Sequence, residues 1–117
     1  MQYNPMDNPI IKIISQRVYQ AAKDILGNKL YKVYLYGSYA RGDYEGDSDM
    51  DFMIIANLPQ AEACAQISAI YNNVSDVDLK YDVIVSPSVT GSDVFYGFLN
   101  VNPFYQNIVN EGVEITD

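Results

Sequence analysis

The sequence predicts one small α/β (α+β) domain, a central mixed sheet with helices packed on it, and three observations predict it. Apolar residues recur at helical spacing near the start, at strand spacing in the middle and at helical spacing again toward the end, so helices and strands interleave. The chain has 117 residues, 49% of them hydrophobic, with 7 Gly and 5 Pro, and shows no repeat, low-complexity tract or linker; one domain spanning 1–117 is expected. Cys64 is its single cysteine and it has no His, so the core must form without an internal disulfide or a His-ligated zinc.

Ile10, Ile11, Ile13, Ile14, Val18, Ala21, Ala22 and Ile25 lie at helical spacing, with Asp7-Asn8-Pro9 as start signal and Gly27-Asn28 as stop. Tyr31–Tyr36 is β-prone and ends at Gly37-Ser38, and Ser38–Arg41 has length only for a helical turn. Gly42–Ser48 reads as a loop. Asp49–Ala56 is polar at its start and apolar afterwards, as expected of a central strand whose first residues face a site.

Pro59 opens a second helix through about Tyr71, with Ala61, Cys64, Ile67, Ala69 and Ile70 on its apolar side; this makes Cys64 a core residue rather than a nucleophile. Leu79–Val85 alternates, with Leu79, Tyr81, Val83 and Val85 pointing one way and Lys80, Asp82 and Ile84 the other, which predicts a third strand. Gly91–Asn100 is expected to form a short helix with Val94, Phe95, Phe98 and Leu99 inward. Asn102-Pro103 caps a last helix, Phe104–Asn110, closed by Gly112.

Charge narrows the function. The net charge is −8, but residues 1–41 hold six Lys/Arg against Asp7 and Asp24, while residues 42–117 hold only Lys80 against thirteen carboxylates. A protein that tracks a nucleic-acid backbone needs clustered cations, so no direct nucleic-acid binding is expected; cations or a basic partner protein suit this balance. The apolar stretches are short and the first residues form neither a signal peptide nor a spanning helix, so no membrane association and a cytoplasmic location are expected. Without His, a Ser-His-Asp triad and a His general base are excluded, and acid-base or metal chemistry falls to carboxylates.

The chemistry concentrates in one stretch. Gly37-Ser38 follows a strand and opens a helical turn, so unpaired backbone N–H groups and the Ser38 hydroxyl converge on one concavity suited to an anion. Asp49 and Asp51, two apart on a predicted strand, leave the same face and are placed to share one or two hard divalent cations. Asp82, on the polar face of the next predicted strand, is a candidate third carboxylate, with Asp76 and Asp78 as substitutes should that strand begin earlier. Three acids facing one another repel unless a cation such as Mg²⁺ relieves the cost. Arg41 has two readings, a phosphate contact or a partner for Asp43 or Asp47; Lys80 likewise either touches a nucleotide or is solvated on an edge strand. The eleven tyrosines are expected to be packing and rim residues.

The run Gly37-Ser38-Tyr39-Ala40-Arg41-Gly42-Asp43-Tyr44-Glu45-Gly46-Asp47-Ser48-Asp49-Met50-Asp51 resembles the signature of the polymerase-β-like nucleotidyltransferases. Its Ala-Arg-Gly and Ser-Asp-x-Asp detail is similar to the minimal nucleotidyltransferases of prokaryotes, often antitoxins paired with HEPN-domain toxins. The likeness continues at Tyr81–Val85 and from Pro103 to Val113, so it covers most of the chain. It implies that Gly37 and Ser38 hold a triphosphate, that Asp49 and Asp51 bind metal, and that Asp82 is a third ligand assisting deprotonation of the acceptor. It also implies ATP as substrate, Mg²⁺ as two ions, and transfer of AMP to a hydroxyl of a HEPN-type toxin, on a tyrosine. Two rivals stay open: an antitoxin that neutralises by occlusion, and the nucleotide-binding subunit of a two-chain antibiotic nucleotidyltransferase.

Overall fold

A computed structural model describes residues 2–117. Asn8 caps the first helix, its side chain accepting from the N–H groups of Ile10 and Ile11, and α1 runs Pro9–Leu26 with Pro9 in the first turn. Strand β1 (Leu30–Tyr36) leads into the single turn α2 (Ser38–Arg41), and β2 (Asp49–Ala56) follows the loop. Helices α3 (Gln60–Ala65), α4 (Ile67–Val74) and α5 (Asp76–Tyr81) then carry the chain to β3 (Ile84–Gly91). Helices α6 (Ser92–Gly97) and α7 (Pro103–Glu111) and a short β4 (Val113–Ile115) complete it.

The four strands lie in the order β3-β2-β1-β4. β1 pairs antiparallel with β2 and β4, and β2 pairs parallel with β3, so the sheet is mixed and α3–α5 form the crossover a parallel pair requires. One face lies under α1, where Ile14 and Val18 pack with Val33, Leu35, Phe52 and Ile54 and with Ile70, Val74 and Val77 of the crossover. The other face carries Tyr34, Met53 and Ile55 beneath Phe95 of α6 and Ile108 of α7.

The structure corrects several expectations. Residues 79–81 are helical rather than extended, because Ile70, Val74, Val77 and Tyr81 repeat at helical spacing and bury that stripe. Leu79, inward in a strand, is instead 92% exposed. Asp82 ends the helix in the left-handed region (φ 53°), and β3 starts two residues later, at Ile84. Its Pro87 argues against a central strand, yet β3 is an edge strand, where a missing N–H is tolerated.

The helix expected from Pro59 to Tyr71 breaks at Gln66, which shifts the buried stripe to Ala63, Ile70 and Val74 and leaves Cys64 exposed. Phe98, expected inward, is 55% exposed because α6 ends at Gly97, while Phe95 is sealed. β4 had no signal of its own, being three residues whose pairing with β1 is entirely long-range.

Candidate active site

Alternation along β2 sends Met50, Phe52 and Ile54 under α1, and Asp49, Asp51, Met53 and Ile55 to the opposite face. Pairing sets what stands beside them: Tyr36 of β1 and Ser86 of β3 are level with Asp51, and Ser88 is level with Met53. The start of this face is therefore polar and its far half apolar. Asp49 is exposed and Asp51 half-buried.

Gly37 sits where β1 meets α2, with φ 76°, and a Cβ there would lie 2.7 Å from Asp51 Oδ2. Only glycine satisfies both the left-handed backbone and that approach. The N–H groups of Ala40 and Arg41 both donate to the Gly37 carbonyl at 3.1 Å, so those of Ser38 and Tyr39 open the turn without an acceptor inside it. The turn is braced from behind: Tyr39 stacks on Tyr44 with centroids 4.1 Å apart, and the Tyr3 hydroxyl donates to the Tyr39 carbonyl at 2.8 Å. The Gly-Ser turn and the acid pair thus meet at Gly37 and Asp51.

The electrostatics agree with this contact. Burial, then the charge of Asp49, pushes the Asp51 carboxyl above its ordinary value, with Arg41 opposing. Burial, then Asp51, likewise raises the Tyr36 phenol, while hydrogen bonding with Ser88 pulls it down. Arg41 itself donates to Asp43 at 3.3 Å and to Glu111 at 3.4 Å, tying α2 to α7 at the mouth of the site.

Asp82 stands differently. The β3 residues level with Asp49 and Asp51 are Ile84 and Ser86, and Asp82 is the left-handed cap of α5 rather than a member of the strand. Among the described residues no group of three or more His, Cys, Asp or Glu is arranged to hold a metal ion. Asp76 and Asp78, the substitutes, are engaged elsewhere. Asp76 pairs with Arg17 at 2.9 Å, and Asp78 accepts from the Val85 N–H at 3.1 Å and from the Tyr71 hydroxyl at 3.2 Å. Lys80 lies on α5, not on an edge strand, with its ammonium over the Tyr81 ring.

The pair that remains still suits a hard cation. Asp49 and Asp51 offer oxygen donors on one face, their mutual repulsion is what a divalent ion would relieve, and the Gly37 approach leaves no room for a side chain between turn and carboxylate.

Sequence reasoning missed Tyr36, Ser86 and Ser88. The signal was present as Val85-Ser86-Pro87-Ser88-Val89-Thr90, a strict period of two, obscured by Pro87 and by the earlier strand placement. It also missed a cavity of about 180 Å³ between Gly37 and α7, lined by Tyr36, Arg41, Phe104, Asn107, Ile108 and Glu111. A larger cavity, about 450 Å³, opens at the sheet edge between α4 and β3 and touches this group only at Ser86.

A family model described as a nucleotidyltransferase domain matches residues 14–113. Two proteins of Methanocaldococcus jannaschii, each named "Putative protein adenylyltransferase", are similar over 92 residues: one is 36% identical, covering 78% of this chain and 84% of the relative. The other is 29% identical, covering 79% of this chain and 84% of the relative. Two solved mutant forms of the toxin-antitoxin MntA-HpeT share the fold, with TM-scores of 0.52 and 0.50 at 18% and 19% identity. Each alignment covers 86% of this chain and 70% of that one.

Proposed function

This chain belongs to the nucleotidyltransferase domain family, and from that premise we propose that it transfers AMP from ATP to a hydroxyl of a partner protein. The acceptor oxygen forms a bond to the α-phosphorus, the bond from that phosphorus to the β-phosphate bridge breaks, and pyrophosphate leaves; the hydroxyl proton passes to a carboxylate or to solvent. The contact of Gly37 with Asp51 carries this reading, because it sets an anion-binding turn against an acid pair. A triphosphate there needs donors for its oxygens, supplied by the Ser38 hydroxyl and the first N–H groups of α2, and relief of repulsion from Asp49 and Asp51. Mg²⁺ held by these carboxylates would supply that relief, lower the pKa of the attacking hydroxyl and neutralise the leaving pyrophosphate.

Asp82 enters the proposal as third carboxylate on the strength of the motif. To join the pair it would leave its left-handed conformation and extend β3 by two residues, whereupon the alternation through Ile84 and Ser86 turns it to the face of Asp51. The acceptor we propose is a tyrosine of a HEPN-type toxin. In support stand the relatives' names, the toxin-antitoxin pair that shares the fold, and the excess of carboxylates after residue 41, which suits a basic docking surface.

The position of Asp82 in the structure favours a second reading, an antitoxin that acts by covering its partner while its nucleotide site is idle. Labelled ATP and Mg²⁺ added to the purified pair separate the two. The first reading expects label on the partner, lost in Asp82→Asn although the complex still forms. Rescue of growth by Asp82→Asn without transferred label would overturn it in favour of occlusion.

A further inference from the structure

Helix α2 is a single turn, and a single turn does not hold itself in water, because forming it fixes several residues for very few hydrogen bonds. Its own bonds also leave a gap. The N–H groups of Gly42 and Asp43 both return to the Ser38 carbonyl, at 2.8 and 3.2 Å, so the backbone that closes the turn passes over the next carbonyl, that of Tyr39. The donor for it comes from 36 residues upstream, where the Tyr3 hydroxyl reaches the Tyr39 carbonyl at 2.8 Å.

The Tyr3 ring makes a second contact. Gly42 ends α2 with φ 91°, and a Cβ there would lie 3.0–3.1 Å from atoms of that ring. Only glycine combines the left-handed backbone with so close an approach. Just beyond, Tyr44 stacks on Tyr39 with the ring planes 8° apart. Tyr3 therefore grips the turn at its closing carbonyl and the following loop at its first residue. It is itself held in place: Asn4 caps a 3₁₀ turn, Pro5–Asp7, by accepting from the Met6 N–H at 3.0 Å, and Pro5 is buried. At 48% exposed, Tyr3 adds little to the core. Burial, then Tyr44 and Tyr39, raises its phenol above the ordinary value, so at neutral pH it stays a donor.

We propose that Tyr3 is a positioning residue for the triphosphate, holding the back of α2 so that the Ser38 and Tyr39 N–H groups stay aimed at the anion. The inference rests on the nucleotidyltransferase reading of Gly37, Ser38, Asp49 and Asp51. The two acids are fixed independently, through the pairing of β2 with β1 and β3. Tyr3 thus acts on the phosphate donors and not on the acid pair.

Calorimetry with ATP and with inorganic tripolyphosphate in excess Mg²⁺, well below the melting midpoint, tests this without a partner or a transfer step. It reads affinity separately from the fraction of molecules able to bind. Tyr3→Phe keeps the ring and deletes the donor, and should weaken both ligands by about three- to tenfold at unchanged stoichiometry, the loss of one hydrogen bond. Tyr3→Leu, which also gives up the contact with Gly42, should weaken both further. Gly42→Ala, whose methyl group meets the ring, should cost more affinity in the intact chain than in Tyr3→Leu, where the ring is gone. Unchanged affinity in Tyr3→Phe, or a loss that shows only as lower stoichiometry, overturns the positioning role and leaves Tyr3 a structural residue. Binding of ATP without binding of tripolyphosphate overturns it too, since the turn then does not grip the phosphates. If the intact protein binds neither ligand, the nucleotide reading itself fails, and this inference with it.

Discussion

Under α1 the sheet shows Val33, Leu35, Phe52 and Ile54, all of them sealed, whereas on the opposite face β1, β2 and β3 show Tyr36, Asp49, Asp51, Ser86 and Ser88, with β2 turning apolar at Met53 and Ile55. The covers differ as much as the faces do. Helix α1 has 18 residues, while α6 has 6 and α7 has 9. Together these two cover the half of the face around Phe95 and Ile108. The site lies at the edge of that cover, where Tyr36 meets Phe104 of α7. One strand serves both purposes because its side chains alternate, so β2 contributes to the larger core with every even residue and to the site with Asp49 and Asp51.

If this division holds, substitutions on the two faces should fail in different ways. The largest expected effect is on activity: Asp51→Asn should reduce label transfer below detection while the melting temperature at pH 7 stays level or rises. The reason is that Asp51 ionises against burial and against Asp49, so neutralising it removes a cost of folding. A variant that melts lower and transfers less in proportion would make Asp51 a structural residue. Phe52, the very next residue, should behave in the opposite way. It is fully buried, and Phe52→Ala should destabilise by about 3–5 kcal/mol through lost contacts and the cavity left behind, with normal transfer per folded molecule at low temperature. Denaturant unfolding together with transfer rates measured well below the midpoint separates the two quantities.

The same division explains what was legible in the sequence. Elements specified locally could be read directly: α1 from its caps and periodicity, α2 from Gly37-Ser38, and β2 from a polar start on an apolar run. The acid pair was readable because two residues of one strand need no tertiary information to share a face. Asp82 was not, since its place depends on whether residues 76–81 coil or extend, and the stripe from Ile70 to Tyr81 that decides this only pays off against α1 and the sheet. Ser86 was hidden by a register that exists only once β3 pairs with β2. The α7 cavity joins two segments about seventy residues apart, and periodicity does not report such neighbours.

A smaller effect is expected at Ser38. Ser38→Ala deletes one hydroxyl donor and keeps the backbone N–H groups of the turn, so transfer should fall by roughly ten- to a thousandfold, short of the acid variants. The ranking is the test: if Ser38→Ala is as inactive as Asp51→Asn in the same assay, the hydroxyl has a role beyond holding a phosphate oxygen.

The smallest expected effect lies back on the α1 side, where Arg17 ties α1 to the start of α5 by donating to both oxygens of Asp76, at 2.9 and 3.3 Å, and to the Asn73 carbonyl at 3.1 Å. The hydrogen bond from Arg17 holds the Asp76 carboxyl below its ordinary value. A carboxyl depressed in the folded state adds stability above its unfolded pKa, and that stability is lost as pH falls through the folded one. Asp76→Asn should therefore lower the melting temperature slightly at pH 7, and the gap should narrow below about pH 4 and in high salt, because the pair is exposed and screened. Transfer should be unchanged if α5 serves only to cover the α1 face. A clear loss of transfer with so small a loss of stability would mean that anchoring α5 matters to the residue that caps it, Asp82, and the division between a supporting face and a reacting face would then have to admit a link through that helix.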